Sequence, residues 1–192
     1  MTTKVKGAVI LSRRAFVRQE YGDAGWEAVL DGLPPEDQET LRGFVLSVDW
    51  YPFDLNERLD AAIVETLGKG DPKIFETIGA WSARENLGGP HQHFLSPGEP
   101  QQFLGKTDRI YRFYYDTGRR DYEASGATAG VMTTYESETL SATDCLTVIG
   151  WYKEALAMCG ARGVEMVEET CRAKGGDVCR YRISWQAVEP AT

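Results

Sequence analysis

The sequence predicts an α+β fold, and three observations carry that reading. Over residues 8–116 apolar side chains recur every three or four positions between glycine and proline breaks, the pattern of amphipathic helices. From Arg120 onward threonine- and tyrosine-rich runs alternate with a period of two, as strands do. One strong helical stretch, Asp144 to Cys159, interrupts the second half, so a helical half is followed by strand, strand, helix and hairpin.

The elements follow in order. Val9, Ile10, Ala15, Phe16 and Val17 form one stripe over Ala8 to Glu20, and Tyr21-Gly22 reads as its stop. Asp23 caps a segment with Trp26, Val29 and Leu30 that ends at Gly32. Pro34-Pro35 opens a helix through Leu41 toward Phe44, and Trp50-Tyr51-Pro52 is a corner that cannot continue one. Leu55, Leu59, Ile63, Val64 and Leu67 mark the next helix, up to Gly68. Asp71-Pro72 then reads as cap and first position of a helix carrying Phe75, Ile78, Gly79 and Trp81. After a Gly-Gly-Pro connection, Ser96-Pro97 is expected to start one aromatic helix through Phe103, Ile110, Tyr111, Tyr114 and Tyr115. Arg120 to Glu123 and Val131 to Glu136 read as strands, and Thr143 as the cap of the last helix, which Gly160 stops. The closing hairpin places Val164, Met166, Val167 and Cys171, then Cys179, Tyr181, Ile183, Trp185 and Ala187, on an apolar face around Lys174-Gly175-Gly176-Asp177.

With 192 residues, 42% hydrophobic, the chain suits a single domain, helical over about 4–116 and mixed over about 119–187. Its 29 acidic against 21 basic residues give a net charge of −8, which repels phosphate backbones and anionic lipid. Arg119-Arg120 and Arg180/Arg182 are too sparse a basic patch to overcome that field, so no nucleic-acid partner is expected. No apolar run reaches the roughly 18 residues that span a bilayer, and Arg13, Arg14 and Arg18 interrupt the N-terminal stretch. A cytoplasmic protein without a membrane span is expected, and its four cysteines are thiols or metal ligands rather than a disulfide framework.

Cys145 opens the last helix, while Glu168, Cys171 and Cys179 lie on the hairpin. Strands about 5 Å apart bring Cys171 and Cys179 opposite one another, and zinc suits such thiolates. Buried apolar cysteines are the plain alternative, since the spacing is not that of a zinc finger. Glu168, three residues before Cys171, faces the other way on a regular strand and reaches the set only through a bulge.

These residues carry a resemblance. Cys145-Leu-Thr-Val-Ile-Gly-Trp-Tyr, followed by Glu168-x-x-Cys171 and Cys179, resembles the four-vinyl-reductase domain of bacterial activators that respond to phenols and other aromatics. The resemblance implies a structural zinc on Cys145, Glu168, Cys171 and Cys179, beside an aromatic-ligand pocket. Lys6-Gly7, Tyr21-Gly22, Trp26 and Phe75-x-x-Ile78-Gly79 are similar to the start of haem-NO-binding (H-NOX) domains of the same superfamily. Tyr135-x-Ser137 matches the start of their Tyr-x-Ser-x-Arg motif, but Thr139 takes the arginine position and Tyr111 that of the proximal histidine. The resemblance therefore implies a variant without haem.

The ligand pocket is expected among Phe103, Tyr111, Tyr114, Tyr115, Tyr135 and Trp151, with tyrosine hydroxyls as its few polar groups and core packing as the plain alternative. His91 and His93 read as ordinary residues of a connection, and Cys159 as a packed thiol. No catalytic triad and no phosphate-binding loop can be assembled. The expectation is a non-catalytic sensory or regulatory module with zinc and a small hydrophobic or aromatic ligand. With no output domain on the chain, it signals through a protein partner or as a homodimer. The alternatives are a gas sensor with haem on Tyr111 or His93, and a scaffold whose pocket is filled, as in vesicle-tethering relatives.

Overall fold

The computed structural model describes residues 3–138 and 141–186. Thr139 and Ala187, both invoked above, lie outside them. The N-terminal part runs β1 (Lys4–Lys6), α1 (Gly7–Asp31), α2 (Pro35–Arg42), β2 (Trp50–Pro52), α3 (Phe53–Thr66) and α4 (Ile74–Leu87). Then come α5 (Pro100–Leu104), α6 (Thr107–Tyr114), β3 (Arg119–Gly126), β4 (Ala129–Tyr135), α7 (Ala142–Met158), β5 (Arg162–Thr170) and β6 (Cys179–Gln186). The architecture is the α+β arrangement read from the sequence. β1 and β2 pair antiparallel, and the other four strands form an antiparallel sheet in the order β3-β4-β6-β5.

Several boundaries differ from the sequence reading, each for a local reason. The stop at Tyr21-Gly22 is a break inside α1, where Gly22 adopts φ 72° and the helix resumes. Lys4–Lys6 is too short to show a period and becomes a strand only by pairing with Trp50–Pro52. Asp71 does not cap α4 directly; its carboxylate accepts from the Lys73 N–H, and the helix begins at Ile74. The aromatic stretch is two helices rather than one. Gly98, at φ 78°, holds off the start, and Gly105 closes α5 by donating to the Gln101 carbonyl. Ser141, not Thr143, caps α7, accepting from the Asp144 N–H. On β5 Val167 pairs regularly with Arg182 and, alternating with the buried Met166, faces the surface, where it is 45% exposed.

Two cores result. Side chains of α1 to α4 enclose one around Trp26, Leu59 and Phe75. The sheet face, α6 and α7 enclose the other around Met132, Tyr152 and Ile183, and Leu146 packs against both. α4 and α7 cross at two glycines: a Cβ on Gly79 would stand 2.2 Å from the Thr147 carbonyl oxygen, and one on Gly150 1.9 Å from that of Glu76. Only glycine allows the backbones this close. A buried ion pair also joins the halves: Arg13 of α1, 1% exposed, donates through Nε and Nη2 to Asp60 of α3 at 3.0 and 3.2 Å. Its Nη2 lies 3.9 Å from Asp144 and 3.4 Å from the Thr147 hydroxyl on α7.

Candidate ligand cavity and thiol cluster

The close α4–α7 crossing and the docking of α6 leave a cavity of about 50 Å³. Its walls are Val9 and Arg13 of α1, Ser82 and Asn86 of α4, Ile110, Tyr111 and Tyr114 of α6 with Tyr115 beyond it, Arg120 of β3, and Thr147, Val148, Trp151 and Tyr152 of α7. Of the expected pocket residues, Tyr111, Tyr114, Tyr115 and Trp151 line it. Phe103 stacks on Trp151 with ring centres 6.2 Å apart, outside the lining, and Tyr135 sits at the end of β4 under the Arg119 guanidinium.

Of the expected tyrosines, the three that line the cavity have hydroxyls already engaged. Tyr111 donates to the Thr117 carbonyl at 2.8 Å, Tyr115 to Asp144 at 2.7 Å, and Tyr114 meets His91 Nδ1 at 2.9 Å. Burial keeps the Tyr114 and Tyr115 hydroxyls protonated by pushing their pKa values up, and for Tyr115 the Asp144 charge adds to it. Burial, followed by the charge of His93, pushes His91 below its usual value. The polar residues that sequence reasoning missed are Arg13, Asp60 and Arg120. The signal was present: Arg13 interrupts the stripe of Ile10, Phe16 and Val17, and Asn56 and Asp60 fall one helical turn apart among Leu55, Leu59 and Ile63. Arg120, counted above in a thin basic patch, is 5% exposed and contributes nothing to the surface charge.

Beneath the cavity the cysteines converge. Cys145 occupies the first turn of α7, Cys171 follows β5 and Cys179 opens β6. A 3-10 turn at Arg172–Lys174, ended by Gly175 in the left-handed region at φ 90°, returns the chain. Cys145 Sγ lies 3.7 Å from the sulfurs of both Cys171 and Cys179, and the three are mutually within 4.8 Å. Zinc–sulfur bonds of about 2.3 Å in a tetrahedron hold sulfurs roughly 3.8 Å apart, so the spacing fits. The bulge that Glu168 required is present between Glu168 and Thr170. Lys174 pairs with Glu168 Oε2 at 2.6 Å, while Oε1 is buried without a hydrogen-bond partner. The thiol of Cys145 and the Arg172 N–H stabilise a Cys179 thiolate and lower its pKa against the cost of burial. Cys159 packs alone, away from this group.

Comparison with known proteins places the architecture. No family model matches the sequence, and no curated protein sequence matches it. The chain has the fold of H-NOX proteins, as the second resemblance implied. It superposes on an H-NOX protein from S. oneidensis in the Fe(II)NO ligation state with a TM-score of 0.72 at 14% identity, covering 94% of this chain and 99% of that one. An Fe(II) unliganded H-NOX mutant from K. algicida gives 0.72 at 12% identity, over 94% and 96% of the two chains. A structure described as modulating haem redox potential through porphyrin distortion gives 0.67 at 15% identity, over 93% and 99%.

These matches correct one expectation. The departures at Tyr111 and Thr139 argued against haem, yet the solved structures sharing this fold are described by their iron or haem, so its exclusion does not stand. The walls as packed do not accommodate the group. The cavity of about 50 Å³ is well below the roughly 300 Å³ at which pockets for sizeable ligands begin. Tyr111 and Tyr115, stacked 4.9 Å apart, would have to move together with Tyr114 and Trp151.

Proposed function

We propose that the chain is a non-catalytic sensory module. It takes a small hydrophobic ligand into the cavity between α6 and α7 and reports it through contact with a protein partner. The observation that supports this reading is the double duty of α7. Its middle turns supply Val148, Trp151 and Tyr152 to the cavity wall, and its first turn supplies Cys145 to the thiol cluster. A ligand that displaces α7 therefore acts directly on the junction between helix and hairpin. A structural zinc on Cys145, Cys171, Cys179 and the unpartnered oxygen of Glu168 would supply that junction with a rigid cross-link and no catalytic chemistry.

Elemental analysis of protein purified without chelators is expected to return one zinc per chain. Cys171→Ser is expected to lose the metal and to melt lower, because metal affinity is linked to folding; a site filled at a thousand-fold excess over its Kd contributes about 4 kcal/mol. Zinc-free protein, or an unchanged melting temperature in the variant, removes the metal from the reading. Thermal-shift titration with phenols, short fatty acids and haemin tests the cavity. A Soret band that survives desalting identifies the ligand as haem. Absence of any shift leaves a scaffold with a filled pocket.

A further inference from the structure

With the hydroxyls of Tyr111, Tyr114 and Tyr115 engaged, two polar groups facing the cavity remain open. The Tyr152 hydroxyl is buried with no hydrogen-bond partner. Arg120, 5% exposed, donates from Nε to the Thr134 hydroxyl at 2.8 Å and lies over the rings of Tyr111 and Tyr152, at 4.8 and 5.7 Å. Among the described residues no acceptor meets its two terminal nitrogens and no carboxylate forms an ion pair with it. Asp144, which lines the small void below Arg120, is taken by Tyr115 at 2.7 Å and Arg13 at 3.9 Å. The other buried arginine, Arg13, shows the usual arrangement, a bidentate contact with Asp60. The Cys179 thiolate feels the Arg120 charge but makes no hydrogen bond to it, and buried polar groups are almost always partnered, so an open guanidinium beside an open hydroxyl marks a place for a small anion.

We propose that the ligand is a small monocarboxylic acid. Its carboxylate accepts from Arg120 and from the Tyr152 hydroxyl, and its short apolar body lies against Ile110, Val148 and Trp151. This rests on the reading of the cavity as the ligand site and names the class of ligand it takes. Size selects the body: an apolar cavity of about 150 Å³ accepts the six carbons of benzene, and one of about 50 Å³ suits only the smallest acids, with a methyl group as the apolar part.

The test titrates the full chain with acetate and with acetamide at matched ionic strength, read by calorimetry and by melting temperature. Acetate is expected to bind at least tenfold more tightly than its neutral isostere. Arg120→Met is expected to abolish the preference for acid over amide, and Arg120→Lys, which keeps the charge and guards against misfolding of the first variant, to retain part of it. Equal affinity of acid and amide for the native chain overturns the proposal but leaves the cavity as a ligand site, with the Arg120 charge answering the thiolates instead. A preference that survives in Arg120→Met places the anion elsewhere and also overturns it. Binding of neither compound removes both the proposal and the reading beneath it.

Discussion

Replacing Gly150 by alanine probes the contact on which both candidate sites hang. The added Cβ would lie 1.9 Å from the Glu76 carbonyl oxygen and 2.9 Å from its Cα, and ordinary contact begins at 3.4 Å, so α4 and α7 must separate by about 1.5 Å. The obstacle is backbone and cannot rotate away. Overpacking of this kind costs about 3 kcal/mol at the upper end of its usual range, and the helix preference of alanine over glycine offsets about 1 kcal/mol. The expected net loss is about 2 kcal/mol, a fall in Tm of roughly 4–8 °C for a chain of this size. Thermal denaturation followed by circular dichroism measures it. The same displacement moves Cys145 and Trp151, so metal content and ligand affinity are expected to fall together. Gly105→Ala is the control: its nearest neighbours would lie at 3.4 and 3.6 Å and the site is exposed, so stability is expected to stay within about 0.5 kcal/mol. A Gly150→Ala protein that melts within a degree of the native chain would refute the close-packing argument.

Other outcomes follow from the same geometry. Asp60→Ala leaves Arg13 buried without its bidentate partner and is expected to cost about 3–5 kcal/mol in urea denaturation; the double variant Arg13→Met, Asp60→Leu should recover most of it, and a single-variant loss below about 1 kcal/mol contradicts the account. Because burial holds His91 below its usual pKa, the unfolded chain takes up the proton first. Its stabilising contribution is therefore full above about pH 6.5 and is lost as pH falls through that value toward the folded-state pKa. The Tm drop between about pH 7.5 and about pH 5.5 should shrink in His91→Gln, which cannot take up the proton; an unchanged drop assigns the dependence to another group.

The class of fold was legible because periodicity is a local property. The strand-strand-helix-hairpin order, the buried face of Cys179, Tyr181, Ile183 and Trp185, and the end of α7 before Gly160 all follow from side-chain spacing and glycine placement. The thiols of the candidate metal set were legible through their position at the helix start and around one hairpin, and even the bulge at Glu168 could be named as a requirement. Helix ends at Pro100, Gly105 and Ile74 were not, since they depend on turns that compete with propensity and, before Pro100, on the Gly98 N–H donating to the distant Cys159 carbonyl.

By itself the sequence determined where apolar faces and breaks lie, and so the architecture and the gathering of three cysteines. Only the tertiary structure decided which polar groups are free inside. Tyr111, Tyr114 and Tyr115 found partners in Thr117, His91 and Asp144, while Arg120 and Tyr152 were left open to the cavity. The physical reason is that hydrogen-bond satisfaction depends on contacts between residues far apart in the chain, which no spacing along it encodes.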